Sequence, residues 1–395
     1  MKEKNCSLFI IFITSISFSK SVKEDGTTLN ELEYIATDEN LVPFEKTTEG
    51  WFNFNKFYWI GKTSSSWNEL SNWAATLAGT GTITECPPFD NSSLELYITN
   101  NSQNPLLIEN ELVANLLNIP AEKSVEMNSK VTVQTVQNMG EMIFANEISV
   151  QELNNNGSIF VNSGILTIEN YVPTSGKINL KEGGTLKITK EEETTIPDLT
   201  FVKTDSSTED FASLLGNLSV ENVTYNAADI QISGKIKLPD TTEENSIGKL
   251  KIESGELTIE TLDANSLNVV AGTFKNTTMN VTSVENAGTI ESTTVNVAGD
   301  LSNDGTMNVA TTNIGGNLND TGTWTESGIV KFVGTNDQSF TPNGNTTYAT
   351  INVEKTSGIL TREMFYKIRK IIKYPLCQEQ QNPLSHTDSA SHLYH

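Results

Sequence analysis

The chain has 395 residues, with 49 acidic side chains against 26 basic ones, a net charge of −23 and a pI near 4.5. That balance argues against nucleic acid and anionic membrane surfaces as partners, because phosphate recognition needs clustered lysine and arginine. The three cysteines, Cys6, Cys86 and Cys377, share no zinc or redox spacing and are too few for a disulfide framework.

The chain opens like a secretory signal. Lys2 and Lys4 precede a short apolar run at residues 8–18, and Ser17 and Ser19 stand where a cut after Ser19 requires small residues. The run is shorter than the roughly 20 residues that span a bilayer. The competing reading is a buried N-terminal strand or helix. No later segment is apolar enough for a transmembrane span. Residues 20–50 are polar and acidic without a sustained period, which predicts a mostly irregular leader.

Residues 51–109 hold four of the five tryptophans: Trp51, Trp59, Trp67 and Trp73. The pattern is Trp59-x-Gly61, a serine-rich turn, then Trp67 and Asn72-Trp73. Strand-like runs follow near Leu94 and Leu106, beyond Pro87-Pro88-Phe89-Asp90. Tryptophans this dense serve either as a hydrophobic plug over the open first coil of a repeat body or as sugar-stacking platforms. Trp59, Trp67 and Trp73 are the candidate ligand-binding residues on the second reading.

This lead resembles the start of bacterial secreted β-solenoid surface proteins of the adhesin or autotransporter-passenger type. The late segment from Gly328 through Gln338-Ser339-Phe340 to Tyr348–Val353 is similar to the closing coils of such proteins. The resemblance implies a surface location and an adhesive or structural role. It carries no catalytic residues over.

Residues 110–361 alternate apolar and polar positions in short runs punctuated by Gly, Asn and Asp, as strands with one buried face do. Double-strand units with a central glycine occur around Gly164, Gly183-Gly184 and Gly255, where the glycine is expected to supply positive φ. The most regular part repeats Gly255, Gly272, Gly288, Gly305 and Gly322 at spacings of 17, 16, 17 and 17 residues. Antiparallel hairpins do not require equal spacing, whereas a coil of fixed perimeter does. The register stacks Ile290, Met307 and Trp324, and places Asn286, Asn303 and Asp320 in one corner column suited to a side-chain ladder. The expected fold is therefore all-β, a right-handed parallel β-solenoid with a Trp-rich N-terminal cap, on the order of a dozen coils and about 60 Å long. Residues 191–215 and 238–247 break the period and are expected as corner excursions.

Residues 362–395 differ in composition. They contain both arginines of the chain and all three histidines, and open with a basic, helix-like piece at 364–373. The readings are a surface helix or cap, or an out-of-frame or truncated tail. The body itself is expected to end without an evident cap.

Residues 1–361 contain no Arg or His, which disfavours uronate lyases and Ser-His-Asp hydrolases. Asp300, Asp304 and Asp320 offer carboxylates on neighbouring coils, yet sit where aspartate is a good turn residue. No catalytic residues or resident cofactor are therefore expected. Calcium at acidic corners is the one plausible metal, without a calcium-loop motif to support it. The expected function is a secreted or outer-membrane-associated bacterial protein that presents its coils to host or matrix proteins or glycans. The alternatives are a polysaccharide-degrading β-helix enzyme and a carbohydrate-binding module on the Trp cluster.

Overall fold

The structure, a computed structural model, describes residues 55–362 apart from 82, 173, 205–209, 325–327 and 343–347. It adds, as backbone strands alone, Leu32–Thr37, Asn40–Thr47, Gly50–Phe52 and Ile371–Lys373. The signal-like segment lies outside the described residues.

From Lys56 onward the strands wind into a parallel β-solenoid of about 14 turns. Three strand segments make each turn. In the coil that begins at Thr289 they are 289–291, 294–297 and Leu301–Asn303, each in register with its equivalent 17 residues on. Alternation puts Ile290, Val295, Val297 and Leu301 in the core, and the next coil lays Met307, Ile314 and Leu318 over three of those positions. One continuous apolar core runs from Trp59 to Ile351. Each buried Val, Leu or Ile contributes about 1.5–3 kcal/mol, so the inward columns dominate the stability of each turn over its surface ion pairs.

The glycine column is longer than the five residues legible as a repeat. Gly216, Gly234, Gly255, Gly272, Gly288, Gly305 and Gly322 lie one above another, and a Cβ on any of the last six would meet the carbonyl oxygen of the glycine beneath at 1.9–2.7 Å. Positive φ is needed at Gly255 (+83°) and Gly272 (+86°), while Gly288, Gly305 and Gly322 have ordinary φ and are required by close approach alone. The single 16-residue spacing has its origin here. Val269 is in register with Asn286, two residues separate Val269 from Gly272, and one separates Asn286 from Gly288. The corner shortens by one residue where asparagine enters it.

Three expectations need correction. Within the expected leader, three strands form an antiparallel sheet, with Leu32–Thr37 and Gly50–Phe52 both paired to Asn40–Thr47. The backbone there is regular although its side chains lack a single amphipathic period. Residues 191–215 are largely strand, because Thr194–Val202 and Ala212–Thr224 both stack on neighbouring coils. The helix-like piece at 364–373 is described only at its end, where Ile371–Lys373 pairs in parallel with Ile351–Val353. The β-branched pair Ile371-Ile372 suits that strand. The last described coils also hold an aromatic cluster, in which Tyr348 lies 5.8 Å from Trp324 and 5.5 Å from Phe340. Phe332 completes it at 5.4 Å from Phe340.

Gly305→Ala is expected to destabilise the chain by about 1–3 kcal/mol, the usual cost of forced overpacking. Thr306→Ala, on the outward side of the same corner, should stay within about 0.5 kcal/mol. Urea midpoints of the two variants check this, and equal midpoints would contradict the close stacking.

Candidate functional site

The tryptophan cluster was the strongest candidate in the sequence, and the structure brings its three central members together. Trp73 is edge-on to both Trp59 and Trp67, each with ring centroids 4.9 Å away, and Trp67 stacks on Phe89 at 4.6 Å. Exposure is 0% for Trp59, 4% for Trp67 and 2% for Trp73. Their indole N–H groups all donate within the protein: Trp59 to Asn104 O (2.9 Å), Trp67 to Pro87 O (2.8 Å) and Trp73 to Trp67 O (2.7 Å). A sugar platform needs an open ring face, and none of the three offers one. The ligand-binding assignment of Trp59, Trp67 and Trp73 is corrected accordingly: they fill the end of the core.

The asparagine in Asn72-Trp73 explains why the motif is shaped as it is. Asn72 is fully buried. Its Oδ1 accepts from the backbone N–H groups of Thr63 (2.9 Å) and Ser64 (3.3 Å), and its Nδ2 donates to Ser66 O (2.9 Å). Its own carbonyl accepts from Ile60 N and Gly61 N. One carboxamide thus folds the serine-rich turn over the indoles. Outside it, hydroxyls of Thr63, Ser64 and Ser71 hold the Glu69 carboxyl below the usual carboxylate range. The turn also closes the strand edges of the first coil. Trp73–Ala74 pairs antiparallel with 58–59, while Ser66 bridges Leu107 and Asp90 bridges Val113.

The corner residues form the ladder their register implied. Asn286 Nδ2 donates to Asn303 Oδ1 (2.8 Å), and Asn303 Nδ2 to Asp320 Oδ1 (2.7 Å). The Tyr348 hydroxyl donates to Asp320 Oδ2. All three corner side chains are buried, and at such depth an unmade hydrogen bond costs about 1–3 kcal/mol. A second pair was missed: Asn138 Nδ2 donates to Asn155 Oδ1 at 2.8 Å. The signal was available, since Asn138-x-Gly140 and Asn155-x-Gly157 repeat the same triplet 17 residues apart.

The aspartates weighed as catalytic carboxylates are engaged in staples between coils. Asp300 Oδ1 accepts from Asn317 N (2.7 Å), Asp304 from the Thr321 hydroxyl, and Asp320 belongs to the ladder. Among the described residues no group of three or more His, Cys, Asp or Glu is placed to hold a metal ion. No helix among them is long and apolar enough to cross a membrane. At the other end of the body, the Lys355 ammonium donates to Gly334 O (3.0 Å), Asn336 O (2.7 Å) and Gln338 Oε1. Burial pushes its pKa down, partly opposed by Asp337.

The chain matches no protein-family model, no curated protein and no solved structure.

Trp73→Ala should cost about 3–5 kcal/mol, as large-to-small changes of buried aromatics do. In a Trp51→Phe background the native emission should resist acrylamide quenching. Ready quenching would mean that the cluster is open.

Proposed function

We propose that the chain is a secreted or cell-surface bacterial protein, associated with the outer membrane, with a structural or adhesive role. Its solenoid presents repeated polar rows to host or matrix proteins or glycans. The observation that carries this reading is the order of the outward side chains. Thr261, Thr278, Thr294 and Thr311 form one row, each in register with the next. Two residues along, Asn280 donates to Asp263 (2.8 Å), Asn296 to Asn280 (2.8 Å) and Asn313 to Asn296 (2.7 Å). The neighbouring face carries a third row, Thr273, Thr289, Thr306 and Thr323.

These rows are held at the coil spacing of about 4.8 Å. Weak contacts repeated at fixed spacing gain by avidity, because each bound group raises the effective concentration of the next. The apolar N-terminal run with its small residues at 17 and 19 supports export, and the Trp-rich lead supports membership of the surface-protein class it resembles. The engaged corner aspartates weigh against a polysaccharide-degrading enzyme, and the buried indoles against a sugar platform at the cap.

Expression of the tagged chain in a bacterium with an outer membrane tests the reading. Protease shaving of intact cells should remove the tag, and the purified body should bind an immobilised matrix protein or glycan. Retention in the cytosol together with no binding would contradict it.

A further inference from the structure

The coil stack is interrupted on one face. Upstream, 152–154 ladders onto 170–172. Downstream, 194–196 ladders onto 218–220. Among the described residues no ladder pair joins 170–172 to 194–196, although the other two faces of the same turn stay paired, 164–168 with 184–188 and 177–181 with 198–202. The cause is local. Regular coils pass from Asn303 to Thr306 across two residues, whereas five, Thr189 to Glu193, separate Ile188 from Thr194. Thr189 still donates to Ile168 O at 3.0 Å, and the divergence begins after it.

The gap is a cleft of about 200 Å³ lined by Asn170, Tyr171, Lys190, Glu193, Thr194 and Thr195. Both charges at its rim are already matched: Lys190 lies 2.8 Å from Glu192, and Lys237 donates to Glu193 at 2.6 Å. That bond holds the Glu193 carboxyl below the usual range. What remains for a ligand is uncharged: the Asn170 carboxamide, the Thr194 hydroxyl, the remaining capacity of the Thr195 hydroxyl, which already lies 3.3 Å from the Ser219 hydroxyl, and strand edges whose backbone groups lack a ladder partner and must be satisfied from outside it. The volume falls below the roughly 300–1,000 Å³ of clefts for drug-sized ligands, so the site admits one small ring.

We propose that this cleft binds a single neutral sugar residue of a glycan. The proposal rests on the adhesive reading and gives it a specific contact. Uncharged donors and acceptors on the two facing strand edges suit a ring of hydroxyls, and the balanced rim selects against acidic or basic sugars.

The test uses the full chain and a panel of neutral oligosaccharides of glucose, galactose, mannose and N-acetylglucosamine, with uronate oligosaccharides alongside. Saturation-transfer NMR and calorimetry should find at least one neutral ligand, with uronates at least tenfold weaker. Asn170→Ala and Thr195→Val, confirmed as folded by circular dichroism, should each weaken it by tenfold or more. Binding unchanged in both folded variants, or preference for uronates, would overturn the proposal. Binding to a matrix protein with no response to any sugar would overturn the cleft while leaving the adhesive reading intact.

Discussion

The closed perimeter of the coil is the constraint on which everything else depends. In a parallel solenoid each strand hydrogen-bonds to the turn below and the turn above. A residue that lengthens one coil must therefore be absorbed at a corner or break the ladder. The chain shows both outcomes. Losing one residue between Val269 and Gly288, relative to the coil before, is absorbed by replacing a positive-φ corner with an Asn-x-Gly corner. Adding residues after Ile188 is not absorbed, and one face opens. From Gly216 to Gly322 the seven-glycine column allows backbone carbonyls to come where no Cβ fits.

The same constraint creates an end problem. A stack of coils has an apolar core and unpaired strand edges at each terminus, and both must be covered. At the N-terminal side the solution is a plug of indoles under a turn folded by Asn72, with short bridges over the strand edges. Toward the last described coils the interior again turns aromatic, with Trp324, Phe332, Phe340 and Tyr348 in contact. There Asp320 ends the corner ladder against Tyr348, and Lys355 ties three acceptors of the coil before it. The middle of the body is filled mainly by aliphatic side chains.

Much of the body was legible because stacking makes spacing visible. The Ile290, Met307, Trp324 column and the Asn286, Asn303, Asp320 corner follow from counting 17 residues, and both are in register. The cap was legible as a cluster but not as a geometry, since nothing in a list of tryptophans reveals which ring faces are covered. Asn72 was visible only as part of a motif, because its contacts come from residues whose convergence requires the fold. Coils with irregular corners, such as 191–215, hid their strands because the period fails there even though most of the pairing is kept. The cleft beside Thr194 was invisible for a related reason: it arises from a missing ladder, and sequence pattern reports strands more readily than gaps between them.

Parallel stacking with a 17-residue register is the central claim, and a disulfide trap tests it most directly. With Cys6, Cys86 and Cys377 changed to serine, Thr294→Cys and Thr311→Cys place two thiols on register partners in adjacent coils. Their Cα atoms should be about 4.8 Å apart, inside the range that a disulfide spans. Mild oxidation of the folded chain should form this cross-link readily, while Thr294→Cys with Thr306→Cys, on different faces, should remain reduced. Failure of the first pair, or equal cross-linking of both, would contradict the account.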